Sequence, residues 1–111
     1  MVSLEDKGDR LLRRLFTPDE LLYLSMKVAP AQHLAVRIAA KEAAYKALAG
    51  NDLARGIGWR EVEVFSRGDG APQLRLHGRA ADRYAELSAT SVHVSLTHSA
   101  ATAVAVVIVE R

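Results

Sequence analysis

Cysteine is absent from the 111 residues of this sequence, which excludes a disulfide framework and thiolate-ligated metal sites. No apolar run approaches the roughly 20 residues of a membrane span. The N-terminus, MVSLEDKGDR, has acidic residues where a signal peptide requires an apolar stretch. Aromatic residues make up only 5% of the chain and the net charge is +2, so little favours a nucleic-acid-binding domain. These absences predict a soluble cytoplasmic protein with neither nucleic acid nor membrane as a partner.

Half of the residues are hydrophobic and a quarter are charged, which is ordinary for a globular protein. The length suffices for one compact domain with its own core, but not for two. No internal repeat, linker or low-complexity tract interrupts the chain. The sequence therefore predicts a single domain over residues 1–111.

The first half of the chain carries helix signals. GDRLLRRLF (8–16) is a short amphipathic pattern, and Thr17, Pro18 and Glu20 together form a capping box that opens a second helix. Pro30 opens a long alanine-rich helix that is expected to run to about residue 49, where Gly50 stops it. The segment NDLARGIG (51–58) is expected to be a loop.

From Trp59 onward the hydrophobic period changes to that of strands, with one further helix. The last segment is nearly all apolar and is predicted to be a central strand or one buried on both faces. The order lacks βαβ alternation, which predicts an α+β domain whose largely antiparallel sheet packs against the long helix. The expected elements are a strand WREVEVF (59–65), a turn RGDGAP (67–72), a strand PQLRLHG (72–78), a helix RAADRYAEL (79–87), and two strands, SVHVSLTHS (91–99) and TAVAVVIVE (102–110).

Glu42 stands out within the long helix. At about 100° per residue it lies beside Ile38 and Ala39 on a mostly apolar side of the helix, one turn before Lys46. One interpretation is a solvated ion pair between Glu42 and Lys46, worth about 0.2–0.5 kcal/mol. The other is a carboxylate held at the edge of the core, which Mg²⁺ with phosphate oxygens would suit. Spacing alone leaves both open.

Two further segments offer weaker candidates. In the strand SVHVSLTHS, His98 stands at the end, where it could contact a ligand or could be a polar edge residue without a functional role. No G-x-S-x-G elbow accompanies the serines, so a serine hydrolase is not indicated. Gly50, Gly56 and Gly58 surround a turn that could approach phosphates, although it matches neither a P-loop nor a dinucleotide fingerprint.

A basic cluster lies on the first helix. Arg10, Arg13 and Arg14 fall within one short segment, while the charge of the whole chain is nearly balanced. Such a cluster is either a solvated helix face or a contact for an acidic partner.

These elements together resemble one family. FTPDEL, RIAAKEAAYKAL, WREVEV, GAP, VHVSLTHS and the closing AVAVVIVE are similar, in order and spacing, to the holo-acyl-carrier-protein synthase type of 4′-phosphopantetheinyl transferase. The similarity covers roughly residue 8 to the end. The K-E-A-x-x-K-A and S-L-T-H-S elements are specific when they occur together.

The resemblance implies transfer of the phosphopantetheine arm of coenzyme A to a serine of an apo acyl carrier protein, with Mg²⁺ as cofactor. It implies that Glu42 is the metal ligand on the helix and that Lys46 contacts the phosphates and accepts a proton. Arg37, Gly50 and His98 are implied near the nucleotide and its phosphates. Arg10 and Arg14 are implied to hold the acidic carrier protein. A homotrimer with active sites between subunits, and a place in fatty acid or polyketide biosynthesis, are also implied.

Two features depart from the family pattern. The family begins with a G-x-D strand whose aspartate is a second Mg²⁺ ligand, whereas MVSL is too short for that strand and only Asp6 is nearby. The family's G-T-G after the long helix is replaced by Ala49-Gly50-Asn51-Asp52. The sequence therefore predicts an N-terminally shortened domain. A non-catalytic homologue that binds a carrier protein or a biosynthetic complex remains the alternative to an enzyme.

Overall fold

A computed structural model describes residues 2–28, 30–66, 70–99 and 102–111; for residues 2–7 and for His98 it describes the backbone alone. The helices are α1 (Val2–Leu15), α2 (Pro18–Ser25), α3 (Pro30–Leu48), α4 (Asp52–Arg55) and α5 (Gly78–Glu86), with a 3-10 helical turn at Trp59–Glu61. The strands are β1 (Val62–Ser66), β2 (Pro72–Leu76), β3 (Ser91–His98) and β4 (Ala103–Glu110).

The capping interaction predicted from the sequence at the start of α2 is present in the structure. The Thr17 side chain accepts a hydrogen bond from the amide of Glu20, and the Glu20 carboxylate accepts one from the amide of Thr17. This reciprocal pair is the predicted capping box. The long helix runs over Pro30–Leu48, as expected, whereas α1 begins at Val2, earlier than the predicted residue 8.

Two predicted element types are wrong between residues 51 and 61. The expected loop contains α4, because Asn51 accepts a hydrogen bond from the amide of Ala54 and so caps a short helix. The expected strand begins only at Val62. Before it, the Glu61 carboxylate accepts a hydrogen bond from the amide of Gly58 at 2.9 Å, which closes the 3-10 turn.

The four strands form two pairs, and both pairs are antiparallel. Strand β1 pairs with β2 with Val64 opposite Leu74, and β3 pairs with β4 with His93 opposite Ile108. Each pair is a two-stranded sheet, so the ladders do not join into one sheet within the described residues. The predicted turn at 67–72 lies partly outside the described residues.

The core forms where α3 meets the strands and α5. Ala44 and Leu48 of α3, Val62 of β1 and Ala80 of α5 are almost completely buried in one cluster. Strand β4 packs on this cluster through Val107 and Val109. The expected α+β architecture, with antiparallel strands on the long helix, is confirmed.

Strand β4 is neither central nor buried on both faces, contrary to the prediction: within the described residues it pairs with β3 alone. Its residues alternate, and Val104, Val106 and Ile108 each expose about half of their surface (50%, 51% and 52%). The opposite face, which includes Val107 and Val109, contacts the core. An apolar outer face on a sheet is unusual for a chain on its own and indicates a contact surface.

None of the helices in the described ranges has both the length and the apolar character that crossing a bilayer requires.

Candidate functional site

A cavity of about 360 Å³ opens between α3 and the segment that links it to β1. One wall belongs to α3, and the other to α4 and the 3-10 turn. Cavities of this size are typical of small-molecule sites. The lining residues are Lys41, Glu42, Tyr45, Lys46, Arg55, Ile57, Gly58, Trp59 and Val62.

The α3 wall brings Glu42 and Lys46 together, as their spacing predicts. Both side chains are exposed on the chain, yet both line the cavity. The buried stripe of α3 instead contains Val36, Arg37, Ala40, Lys41, Ala44 and Leu48. Glu42 keeps its apolar neighbours Ile38 and Ala39, but both are only half-buried, so the apolar side on which Glu42 was predicted is not the side that packs on the core.

The solvated ion pair between Glu42 and Lys46 is also absent: no nitrogen–oxygen contact within 4.0 Å joins them. Both groups are consequently available to a ligand that enters the cavity. Of the two interpretations that spacing left open, the ion pair is the one that the geometry contradicts.

Lys41 is the buried cation of this site, and sequence reasoning gave it no role. Its ammonium donates to the carboxylate of Glu20 at 2.9 Å, to the carbonyl of Trp59 at 2.9 Å and to the carbonyl of Val62 at 2.5 Å. Burial lowers the pKa of Lys41, an effect that the charge and hydrogen bond of Glu20 oppose only in part. Its position on one stripe with Ala44 and Leu48 could have indicated its burial.

The opposite wall combines apolar side chains with one cation. Ile57 and Trp59 supply the apolar surface, and Trp59 is the only tryptophan of the chain. Arg55 stands on this wall with an exposed ion pair to Asp52 at 3.2 Å. Sequence reasoning missed Arg55 because the segment was taken as a loop, so the helical turn that presents this side chain was not foreseen.

The donor set of the cavity was tested against the Mg²⁺ that the resemblance implies. Glu42 is the only carboxylate among the described residues that line it, and no group of three acidic or histidine side chains able to hold a metal occurs among the described residues. Magnesium binds through one or two carboxylates together with substrate phosphates and water. Glu42 therefore fits the ion when a phosphate ligand supplies further oxygens. The side chain of Asp6 lies outside the described part of the chain.

Arg37 does not line the cavity. Its side chain is buried, and its guanidinium stacks over the ring of Tyr23 at 4.2 Å. Long hydrogen bonds of 3.5 Å reach the carbonyl of His33 and the hydroxyl of Ser66, while the Nε atom has no partner. In the single chain this residue therefore joins α2, α3 and β1.

Gly50 also lies away from the cavity lining, at the end of α3. Its φ of +131° is one that other residues rarely adopt, and a Cβ atom there would lie 3.1 Å from the guanidinium of Arg83. Arg83 donates to the last carbonyls of the helix, those of Leu48 and Ala49. The local structure thus requires a glycine here without any ligand. For His98, only the strand position opposite Ala103 is described.

The basic cluster of α1 is solvent-facing. Arg10, Arg13 and Arg14 are all exposed, and Leu11 between them exposes 54% of its surface. A helix face that combines arginines with an apolar side chain suits an acidic protein partner.

A second cavity of about 440 Å³ lies on the other side of the 3-10 turn, beside the buried carboxylate of Glu63. Glu63 accepts hydrogen bonds from Thr17 at 2.7 Å and from Arg75 at 3.4 Å, and it lies 3.0 Å from His77. Burial alone raises the pKa of Glu63, but the hydrogen bonds from Thr17 and His77 and the nearby charges outweigh it, so the pKa lies below its ordinary value.

Comparison with known proteins matches this architecture to one family. A family model described as the 4′-phosphopantetheinyl transferase superfamily matches residues 2–106. The holo-[acyl-carrier-protein] synthase of Nitratidesulfovibrio vulgaris (strain DP4) is 52% identical over 103 residues, which cover 93% of this chain and 82% of that protein.

Solved structures agree with the sequence matches. Holo-[acyl-carrier-protein] synthase from Neisseria meningitidis superposes with a TM-score of 0.76 at 27% identity, over 99% of this chain and 88% of that one. A complex of this synthase with coenzyme A from Chronobacterium ammoniagenes gives a TM-score of 0.74 at 26% identity, over 89% and 79% of the two chains. The resemblance carried by the K-E-A-A-Y-K-A and S-L-T-H-S elements is thereby confirmed.

Proposed function

This chain belongs to the 4′-phosphopantetheinyl transferase superfamily, and we propose that it transfers the 4′-phosphopantetheine arm of coenzyme A to a serine of an apo acyl carrier protein. The observation that carries the proposal is the cavity in which Glu42 and Lys46 stand together against an apolar wall. Coenzyme A matches this arrangement, because it has charged phosphates at one end and a less polar pantetheine arm at the other.

The reaction forms a bond between the carrier serine oxygen and the phosphorus of the arm. The bond from that phosphorus to the adenosine 3′,5′-bisphosphate breaks, and the bisphosphate leaves with the electron pair. The nucleophile belongs to the partner, so this chain needs none of its own. Its task is to position the two substrates and to neutralise charge, which are the main contributions to phosphoryl transfer.

Lys46 and Arg55 supply the positive charge for the phosphates. They face the cavity from opposite walls, whereas Glu42 is the one acidic side chain among its described lining residues. Lys41 adds no free charge because its ammonium is held by Glu20. The charges of the side chains that line the cavity therefore favour an anionic ligand. We assign phosphate contact to Arg55 and Lys46. Acceptance of the serine proton is assigned to Lys46 in its neutral form, and the ammonium so produced supplies its positive charge to the leaving bisphosphate.

Glu42 would hold Mg²⁺ together with the pyrophosphate oxygens of the substrate. When bound, the ion neutralises phosphate charge and stabilises the leaving group. The carboxylate, through its fixed place on α3, would set where that ion sits.

The exposed arginines of α1 are proposed as the docking site for the carrier protein. Arg10 and Arg14 lie on one helix face, with Leu11 as an apolar contact. Charge complementarity of this kind steers association and fixes orientation.

We further propose a homotrimer, in which a neighbouring protomer completes the site. The exposed face of β4, with Val104, Val106 and Ile108, is the surface offered to a neighbour. Arg37, Gly50 and His98 are proposed to approach the coenzyme A nucleotide within such an assembly, since Arg37 and Gly50 do not line the cavity of the single chain. The pathway served is fatty acid or polyketide biosynthesis, in the cytoplasm.

The transfer is tested by incubating the protein with coenzyme A, Mg²⁺ and an apo carrier protein, and by weighing the intact carrier. The expected result is a mass gain of one phosphopantetheine arm. The control is a carrier whose acceptor serine is replaced by alanine, which should gain nothing.

No mass gain at high enzyme concentration would reject the activity. If the carrier protein still bound in a salt-sensitive manner, the alternative of a non-catalytic relative would replace it. Sedimentation of the purified protein tests the trimer separately, and a monomer at micromolar concentration would contradict that part.

A further inference from the structure

Lys41 lines the catalytic cavity but presents no charge to it. Its neighbour Glu42 faces the opening, whereas the Lys41 ammonium turns inward and contacts three oxygens. Only one of the three oxygens belongs to a charged group. The other two are backbone carbonyls, and both lie on the far wall of the cavity.

Those two carbonyls bracket the 3-10 turn. The carbonyl of Trp59 begins the turn and that of Val62 follows it, so one ammonium fixes both ends of the segment. The turn has other hydrogen bonds, but none of those described reaches α3. Glu61 bonds internally to Gly58. The carbonyl of Glu61 accepts a hydrogen bond from the amide of His77 at 2.8 Å, and its carboxylate accepts one from the amide of Arg79 at 3.3 Å. Among the described residues, the Lys41 bonds are therefore the polar link between the turn and α3.

We propose that Lys41 is a positioning residue, which sets the distance between the α3 face bearing Glu42 and Lys46 and the wall bearing Trp59. The inference rests on the proposed function for its substrate, coenzyme A, but not for its geometry. A cationic hydrogen-bond donor with three fixed acceptors tolerates little movement. Loss of this link loosens the wall and weakens binding of the pantetheine arm, while Glu42 and Lys46 stay on the helix.

A purely structural role would come from the ion pair with Glu20, and the two roles are separable. Glu20→Gln leaves Lys41 its two carbonyls. It keeps only one of the two oxygens that accept from the amides of Thr17 and Val64, and it leaves the Lys41 ammonium without a counter-charge, so its cost falls on stability. Glu20→Gln/Lys41→Met removes both charges, so no buried charge is left unpaired, but it also removes the link. The double variant is the informative one, because Lys41→Met alone leaves a buried carboxylate uncompensated.

The test uses Trp59 as a built-in reporter, since it is the only tryptophan and stands on the proposed wall. Acrylamide quenching of its fluorescence measures wall order without substrate, and titration with coenzyme A measures affinity. Circular dichroism and thermal unfolding confirm that each variant is folded at the working temperature.

We expect Glu20→Gln to unfold at a lower temperature than the wild type but, where folded, to keep the wild-type quenching and affinity. We expect the double variant to show stronger quenching and a dissociation constant for coenzyme A raised by about tenfold or more, which is about 1.4 kcal/mol. Wild-type quenching in a folded double variant would overturn the proposal. If neither variant folded, amide hydrogen exchange on the wild type would decide: residues 58–62 exchanging much faster than α3 would contradict a fixed wall.

If the wild type does not bind coenzyme A at all, the proposed function fails, whereas the quenching comparison still decides the role of Lys41.

Discussion

The ammonium of Lys41 lies 2.9 Å from the carboxylate of Glu20, and both side chains are almost completely buried. The pair joins α2 to α3, and through the amide of Val64 it also ties both helices to β1. Two buried charges are tolerated here because every oxygen of Glu20 and the ammonium itself have hydrogen-bond partners. The fold thus depends on a polar contact inside its core.

Removing only one partner of this ion pair should lower the stability of the protein. Lys41→Met leaves the Glu20 carboxylate buried without its cation, and we expect the free energy of unfolding to fall by about 3–5 kcal/mol. Urea denaturation monitored by circular dichroism measures the change. Lys46→Met is the matched control: it makes the same replacement on the same helix at an exposed position, and should change stability by less than about 0.5 kcal/mol. Equal losses in both variants would contradict this account.

The local elements were predictable because each rests on interactions between near neighbours in sequence. The capping box at Thr17 and Glu20 and the alternation of β3 depend on residues a few positions apart. The face of α3 that is buried depends on β4 and on β1, which pack against the helix from much later in the chain. That is why the exposure of Glu42 and the burial of Lys41 were not predicted.

Contacts between residues far apart in the sequence also limited what could be predicted about the cavity. The spacing of Glu42 and Lys46 predicts that they share a face, and they do line one cavity. The opposite wall comes from a segment in which Asn51 and Glu61 cap short helical turns through their side chains. Such turns leave no hydrophobic period in a sequence, so Arg55 and Trp59 could not be placed opposite Glu42 beforehand.

The buried carboxylate of Glu63 should make the protein sensitive to acid. Its pKa in the folded state lies below the ordinary value of 4.5, so its contribution to stability is complete above that value and is lost as the pH falls through the folded-state pKa. We expect the melting temperature of the wild type to fall below about pH 4.5, and Glu63→Gln to show a smaller fall over the same range.

Scanning calorimetry from neutral pH to about pH 3.5 provides the comparison. Asp82→Asn is a suitable control because Asp82 is an exposed carboxylate on α5. If the melting temperature of Glu63→Gln fell with pH as steeply as that of the wild type, the titration of Glu63 would not be the cause of acid sensitivity.

Charge reversal on α1 should affect the carrier protein and not coenzyme A. For Arg10→Glu/Arg14→Glu we expect the KM for the carrier to rise by roughly tenfold or more at low salt, because the proposed docking site relies on these exposed arginines to steer an acidic partner. Added salt should reduce the difference in this KM between the variant and the wild type, since salt screens the attraction between the arginines and the carrier protein. Steady-state kinetics with each substrate varied in turn separates the two KM values. Arg111→Glu, a charge reversal at an exposed site just after β4, should leave both KM values unchanged. A comparable effect there would show that net charge, and not the position of the arginines on α1, is responsible.

The role of Glu42 can be isolated because its side chain is exposed and supports no core contact. Glu42→Gln keeps the size of the side chain and removes the charge, and we expect kcat/KM to fall by about 100-fold or more, about 2.7 kcal/mol of transition-state stabilisation. The Mg²⁺ concentration for half-maximal activity should rise, because a neutral amide is a poorer ligand than a carboxylate. Unfolding should be unchanged within about 0.5 kcal/mol, which distinguishes lost chemistry from lost structure. Binding of coenzyme A that stays fully Mg²⁺-dependent in Glu42→Ala would show that another group holds the metal.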